Sequence, residues 1–109
     1  YPANFLLAII ARESQGRRYI RGESGEYGIF QIMPFHFPSD FPERMKYDDE
    51  VQFKVATENI LDGYAYRLLA MGKYSIANLA AMYNGGPGGF TNKKPKAYGK
   101  DVQRLMALF

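Results

Sequence analysis

The sequence contains no cysteine, which excludes disulfides and thiolate metal sites but leaves the cellular compartment open. It has one histidine, His36, with no second histidine or cysteine to share a metal. No metal site is therefore expected, and His36 reads as a surface or packed side chain. Long apolar runs are also missing. The best, Phe5 to Ala11, is far short of the roughly 20 residues that span a bilayer, so no membrane span is expected. That front segment has neither a basic lead nor a small-residue cleavage site and does not read as a signal peptide. The chain reads as a mature domain or one excised from a longer protein. The glycine-rich stretch Gly85 to Gly89 fits neither G-x-x-x-x-G-K-[ST] nor G-x-G-x-x-G, so it is read as a turn and no cofactor is expected.

What is present suits a packed core. Hydrophobic residues make up 47% and aromatics 16% of 109 residues, enough for one compact domain spanning residues 1–109 and too much for a disordered segment. The net charge of +3 favours polyanionic partners: nucleic acid, anionic lipid or an acidic glycan mesh. Lys93, Lys94, Lys96 and Lys100 cluster near Phe90 and Tyr98. They are read as a solvated basic face attractive to carboxylates, not as a nucleic-acid surface.

Periodicity predicts a mostly helical chain without repeats or internal linkers. Asn4 is a candidate N-cap for a helix over about Phe5 to Ser14, with Leu6, Ile9, Ile10 and Glu13 on one face. Residues from Gly16 to Tyr27 lack a period and read as an exposed loop, with short extended structure near Gly28 to Ile32. Pro34, Pro38 and Pro42 interrupt a connector anchored by Phe35, Phe37 and Phe41. Acidic residues 48–50 open a long helix to about Ala70, with Phe53, Ala56, Ile60 and Tyr64 on its apolar face. Ser75 caps the next helix, which ends at Asn84-Gly85-Gly86. Tyr98, Val102, Leu105 and Phe109 mark a closing amphipathic helix.

Glu13 stands out. It ends an apolar helical face, where lost hydration raises a carboxyl pKa, and it lies at the negative end of the helix dipole, which acts in the same direction. A glutamate tuned upward holds a proton near neutral pH and can deliver it to a leaving oxygen. A lone helix-end glutamate is more often a partner of a nearby arginine such as Arg12, Arg17 or Arg18, so the surrounding motifs have to carry the assignment.

Those motifs run in order along the chain: Glu13-Ser14, then Gly25 and Gly28-Ile29-Phe30-Gln31-Ile32-Met33-Pro34, then Asn59-Ile60 with Gly63-Tyr64, then Ala80-Ala81-Met82-Tyr83-Asn84-Gly85-Gly86-Pro87-Gly88. Together with Tyr98 and Val102 they resemble the lytic transglycosylase domain of the soluble type over essentially the whole chain. Glu13 and Gln31 are eighteen positions apart, similar to the family's spacing between its catalytic glutamate and the glutamine of its G-L-M-Q-like motif. The resemblance implies a mainly α, lysozyme-like fold with a substrate cleft and at most a very small β element. It implies cleavage of the β-1,4 bond between N-acetylmuramic acid and N-acetylglucosamine in peptidoglycan strands, with Glu13 as sole acid and then base and 1,6-anhydro ends as product. Substrate contacts would come from Gln31, Met33, Tyr83 and Asn84. The setting implied is the cell envelope, periplasmic or extracellular, or a phage particle. The protein would act as a monomer or within a larger envelope-spanning or phage assembly.

The chain departs from the family pattern at several positions. Gly22 stands where the family often carries a serine, nine residues after the glutamate, with Ser24 as the candidate replacement. Arg18 replaces a frequent proline, Phe30 the usual methionine, and Glu26 a small residue. Glu23 and Glu26 lie in a loop and match no catalytic position of the family. Two rival readings are a goose-type lysozyme-like hydrolase, which needs a second carboxylate or a positioned water, and a non-catalytic glycan-binding module.

Overall fold

The computed structural model describes residues 1–109 and is built from five α-helices: α1 (Ala3–Glu13), α2 (Asp49–Lys54), α3 (Asp62–Ala70), α4 (Ile76–Gly85) and α5 (Lys93–Met106). There is no sheet. The small β element is reduced to two isolated antiparallel bridges, Arg21 with Tyr27 and Tyr27 with Ile32, so residues 28–31 form a tight turn instead of the extended segment the sequence predicts. No helix is long and apolar enough to cross a membrane.

The predicted helix ends hold where the chemistry is local. The Asp48 carboxylate accepts the Val51 amide N–H at 3.2 Å, and the Ser75 hydroxyl accepts the Asn78 amide at 3.0 Å. Gly86 closes α4 at a φ of 79°, a left-handed backbone suited to glycine. Asn4 is a correction: α1 begins one residue after Pro2, which needs no amide hydrogen bond of its own. Asn4 instead lies in the first turn and donates to the Met106 carbonyl at 3.4 Å.

Helices α2 and α3 are one continuous rod joined by a π-helical stretch, Val55–Leu61. The wider π turn rotates the inward face relative to the expected period. Gln52, Val55, Ala56, Ile60, Leu61 and Leu68 point inward. Phe53 is left 36% exposed, packed edge-on against Phe30 at 5.0 Å. The closing helix stops at Met106, so Phe109 lies beyond it and is exposed. In the connector, Phe37 is buried and stacks on Phe41. Phe35 is exposed, set outward on the short 3-10 turn Pro34–His36. The 16–27 loop ends inside the protein: Tyr27 is buried under the Arg21 guanidinium, 3.9 Å from its ring.

A core of 19 buried residues draws on α1, α3, α4, α5, the π-helical stretch and the turn around Phe30. Helices α4 and α5 meet backbone to backbone. A Cβ added to Gly99 of α5 would stand 2.1 Å from the Ala77 carbonyl oxygen of α4, which no side chain tolerates. This close approach, and the packing of α5 on α1, sets α5 between the other two helices.

Candidate active site

Glu13 is the last residue of α1, partly buried, on the same face as the buried Ile9 and Ile10. The next residue ties off the helix. The Ser14 side chain is fully buried; its hydroxyl donates to the Ile10 carbonyl at 3.2 Å and accepts the Gly16 amide at 3.1 Å. Two left-handed residues follow, Gln15 and Gly16, and turn the chain away, leaving Glu13 facing the protein. The Tyr98 hydroxyl of α5 donates to Glu13 Oε2 at 2.5 Å. Arg12, the expected competitor for Glu13, is paired with Asp101 at 2.9 Å and lies over the Tyr98 ring. Arg18 is likewise engaged elsewhere, with Asp49 at 2.7 Å.

Burial pushes the Glu13 carboxyl above the usual glutamate range. The Tyr98 hydrogen bond and the Arg12 charge oppose this, and the negative charge of Glu26 adds to it. The helix dipole acts with burial. Tyr98 itself is raised well above the ordinary tyrosine value by burial and by the Glu13 charge, so it stays a neutral donor. Tyr98→Phe removes a hydrogen bond that favours the carboxylate. The expected result is a further rise in the Glu13 pKa, read by carbon-13 NMR titration of the Glu13 carboxyl. A fall or no change would mean that Tyr98 does not hold the ionised form.

The second wall is the turn from Ile20 to Ile32, pinned by Gln52. That side chain is fully buried. Its oxygen accepts the Phe30 amide at 2.9 Å, and its nitrogen donates to the carbonyls of Tyr27 at 2.9 Å and Lys46 at 2.6 Å. Gly28 lies against it with a φ of 74°, and a Cβ there would come within 2.7 Å of the Gln52 amide. Gln31 follows at a φ of 50°, a left-handed backbone costly for a residue other than glycine and a mark of functional sites. Its Nε2 donates to the Gly28 carbonyl at 2.8 Å.

Tyr83 of α4 packs against the core, and its hydroxyl donates to the Phe30 carbonyl at 2.5 Å. It is close enough to Glu13 that the carboxylate's charge, after burial, helps to raise its pKa well above the ordinary value. Glu13, Tyr83, Tyr98 and the Phe30-Gln31 turn thus converge. Met33 is partly exposed and not among the side chains packed on the core. Asn84 is exposed in the last turn of α4, and Ser24 is exposed in the loop, where its amide and not its hydroxyl is bonded, to Glu26 Oε1 at 2.9 Å. None of these three hydrogen-bonds to Glu13. A basic hollow lined by Arg12, Lys94, Lys100 and Arg104, with Asp101 paired to both arginines, adjoins the cluster at Tyr98, and its lysines are exposed as expected. Tyr98 and Gln52 escape the sequence reading as site residues. Tyr98 is visible on the apolar face of the closing helix and in the family pattern, but with no role assigned, and Gln52 only as a polar residue next to Phe53.

The arrangement offers one partly exposed, protonatable carboxyl held by a neutral phenol and flanked by amide and backbone groups that can hydrogen-bond sugars. The model of the family described as "Transglycosylase SLT domain" matches residues 1–106. The chain is similar in structure to the 70 kDa soluble lytic transglycosylase of Escherichia coli, with a TM-score of 0.73 at 21% sequence identity. That match covers 98% of this chain and 21% of the other, so the chain spans about a fifth of that protein's length. No curated protein matches the chain.

Proposed function

The chain belongs to the transglycosylase SLT domain family, and from that premise we propose that it is a peptidoglycan lytic transglycosylase with Glu13 as its acid and base. The observation that carries this reading is the Glu13 carboxyl: partly buried, raised in pKa, and held by Tyr98. A protonated Glu13 gives its proton to the glycosidic oxygen between N-acetylmuramic acid and N-acetylglucosamine as the C1–O bond breaks. The muramic C6 hydroxyl oxygen then bonds to C1, and its proton passes to the Glu13 carboxylate, which restores the acid. No water enters, and the product carries a 1,6-anhydro ring. The Tyr98 hydrogen bond steadies the carboxylate between the two proton transfers.

The sugar would lie across the Phe30-Gln31 turn, with Met33, Tyr83 and Asn84 along it. The basic hollow beside Tyr98 suits carboxylates of the peptide stems. Such a substrate puts the protein at work in the cell envelope, outside the cytoplasm, or in a particle that must breach the envelope. Digestion of purified sacculi followed by mass spectrometry tests the reaction. Anhydro ends without oxygen-18 uptake from labelled water are expected. Products that all carry hydrated reducing ends would replace the transglycosylase with a hydrolase.

A further inference from the structure

The mechanism above makes no use of Glu26, although its side chain turns inward. The loop folds back on itself: the Gly22 amide donates to the Glu26 carbonyl at 2.9 Å, and the Gly25 amide donates to the Gly22 carbonyl at 3.0 Å. This turn carries the Glu26 carboxylate over Gly22. A Cβ on Gly22 would stand 2.5 Å from Glu26 Oε1, 2.7 Å from its Cδ and 2.6 Å from Gln31 Oε1. The bare backbone at position 22 is what lets both oxygens approach the same point. A serine there would displace them, and this accounts for glycine at the position where the family pattern often has a serine.

Gln31 cannot relieve this meeting of acceptors by turning its amide over. Its Nε2 donates to Gly28 at 2.8 Å and lies 3.5 Å from the Ile20 carbonyl. The flipped amide would set oxygen against both carbonyls. The amide oxygen therefore stays on the Gly22 flank where Glu26 Oε1 also lies, and only the Ser24 amide, at 2.9 Å from Glu26 Oε1, supplies a donor from the protein. Two acceptors on the same flank of Gly22, one of them a carboxylate, suit a donor that reaches both.

We propose that Glu26 and Gln31 form an acceptor pair that binds a hydrogen-bond donor of the glycan, a hydroxyl or an acetamido N–H, beside Glu13. Glu26 is thus a substrate-positioning residue. The inference rests on the reading of Glu13 as the acid in a glycan cleft. The Glu26 charge has a second effect, because it favours the protonated form of Glu13. The other groups acting on Glu13 are Arg12 from α1, Tyr83 from α4 and Tyr98 from α5.

The test compares Glu26→Gln with Glu23→Gln, an exposed acidic neighbour in the same loop, on soluble uncross-linked glycan strands. Glu26→Gln is expected to raise KM about tenfold, the weight of one hydrogen bond to a charged group. It should also move the alkaline limb of the pH profile to lower pH, since Glu13 then loses its proton more readily. Glu23→Gln should move neither. Gly22→Ala, whose Cβ pushes both oxygens aside, should reproduce the rise in KM and serves if Glu26→Gln does not fold. An unchanged KM and limb in folded Glu26→Gln overturns the proposal. The parent reading is tested separately, because activity surviving in Glu13→Gln would remove the acid whatever Glu26 does. Calorimetric binding of the same strands to Glu13→Gln, with and without Glu26→Gln, measures the acceptor pair without turnover.

Discussion

Replacing Glu13 by glutamine is expected to end the loss of turbidity in cell-wall suspensions, lowering the rate by roughly 100-fold to 10,000-fold, the usual weight of a positioned acid and base. The amide keeps the shape and the Tyr98 contact but carries no transferable proton. The same substitution is expected to raise the melting temperature at neutral and alkaline pH. Glu13 has a higher pKa folded than unfolded, so the folded state binds the proton more tightly. Its contribution to stability is complete below the ordinary glutamate value and is lost as pH rises through the raised one. Glutamine avoids that loss, and its advantage in calorimetry should grow with pH across this window. Undiminished lysis would remove Glu13 from the chemistry. A melting temperature below that of the wild type throughout would mean that the carboxylate supports the fold.

The second large effect is expected in stability. Gln52→Leu fills a similar volume but leaves the Phe30 amide and the Lys46 carbonyl without their side-chain partner, and the Tyr27 carbonyl with the Ile32 amide alone. Each unpaired group costs on the order of 1–3 kcal/mol, so a total loss of about 3–5 kcal/mol is expected by urea denaturation. Activity should fall with it, because this side chain holds the Phe30 amide next to Gln31 in the turn. A loss under about 1 kcal/mol would show that the turn holds itself together by other means.

These two residues also mark how far the sequence can be read. Glu13 is legible because helical spacing is local: its distance in sequence from Ile9 and Ile10 puts it on their face, and burial and dipole follow. The caps at Asp48, Ser75 and Gly86 are legible for the same reason, since each acts within one turn. Tyr98 is not, because the partner of Glu13 lies on another helix, and periodicity tells only that a side chain points inward, never what it meets there. Gln52 looks like an ordinary polar residue in a helix until the loop it serves is folded against it. The π stretch at Val55–Leu61 leaves no mark in composition, and it is what moves Phe53 out of its expected place. Glu26 reads as a loop carboxylate because nothing in the letters tells that the chain reverses over Gly22.

The contact of Gly99 with the Ala77 carbonyl has a bearing on how such a protein can vary. Tyr83 belongs to α4, and Tyr98, the neighbour of that glycine, belongs to α5. Their separation is therefore set by main chain resting on main chain, as two beams bolted directly together keep their spacing whatever panels are hung on them. Side chains elsewhere in the interface can be exchanged without moving either phenol, provided position 99 stays bare. A scaffold of this kind can lose most of its letters and keep its shape, as the likeness in fold at 21% identity illustrates.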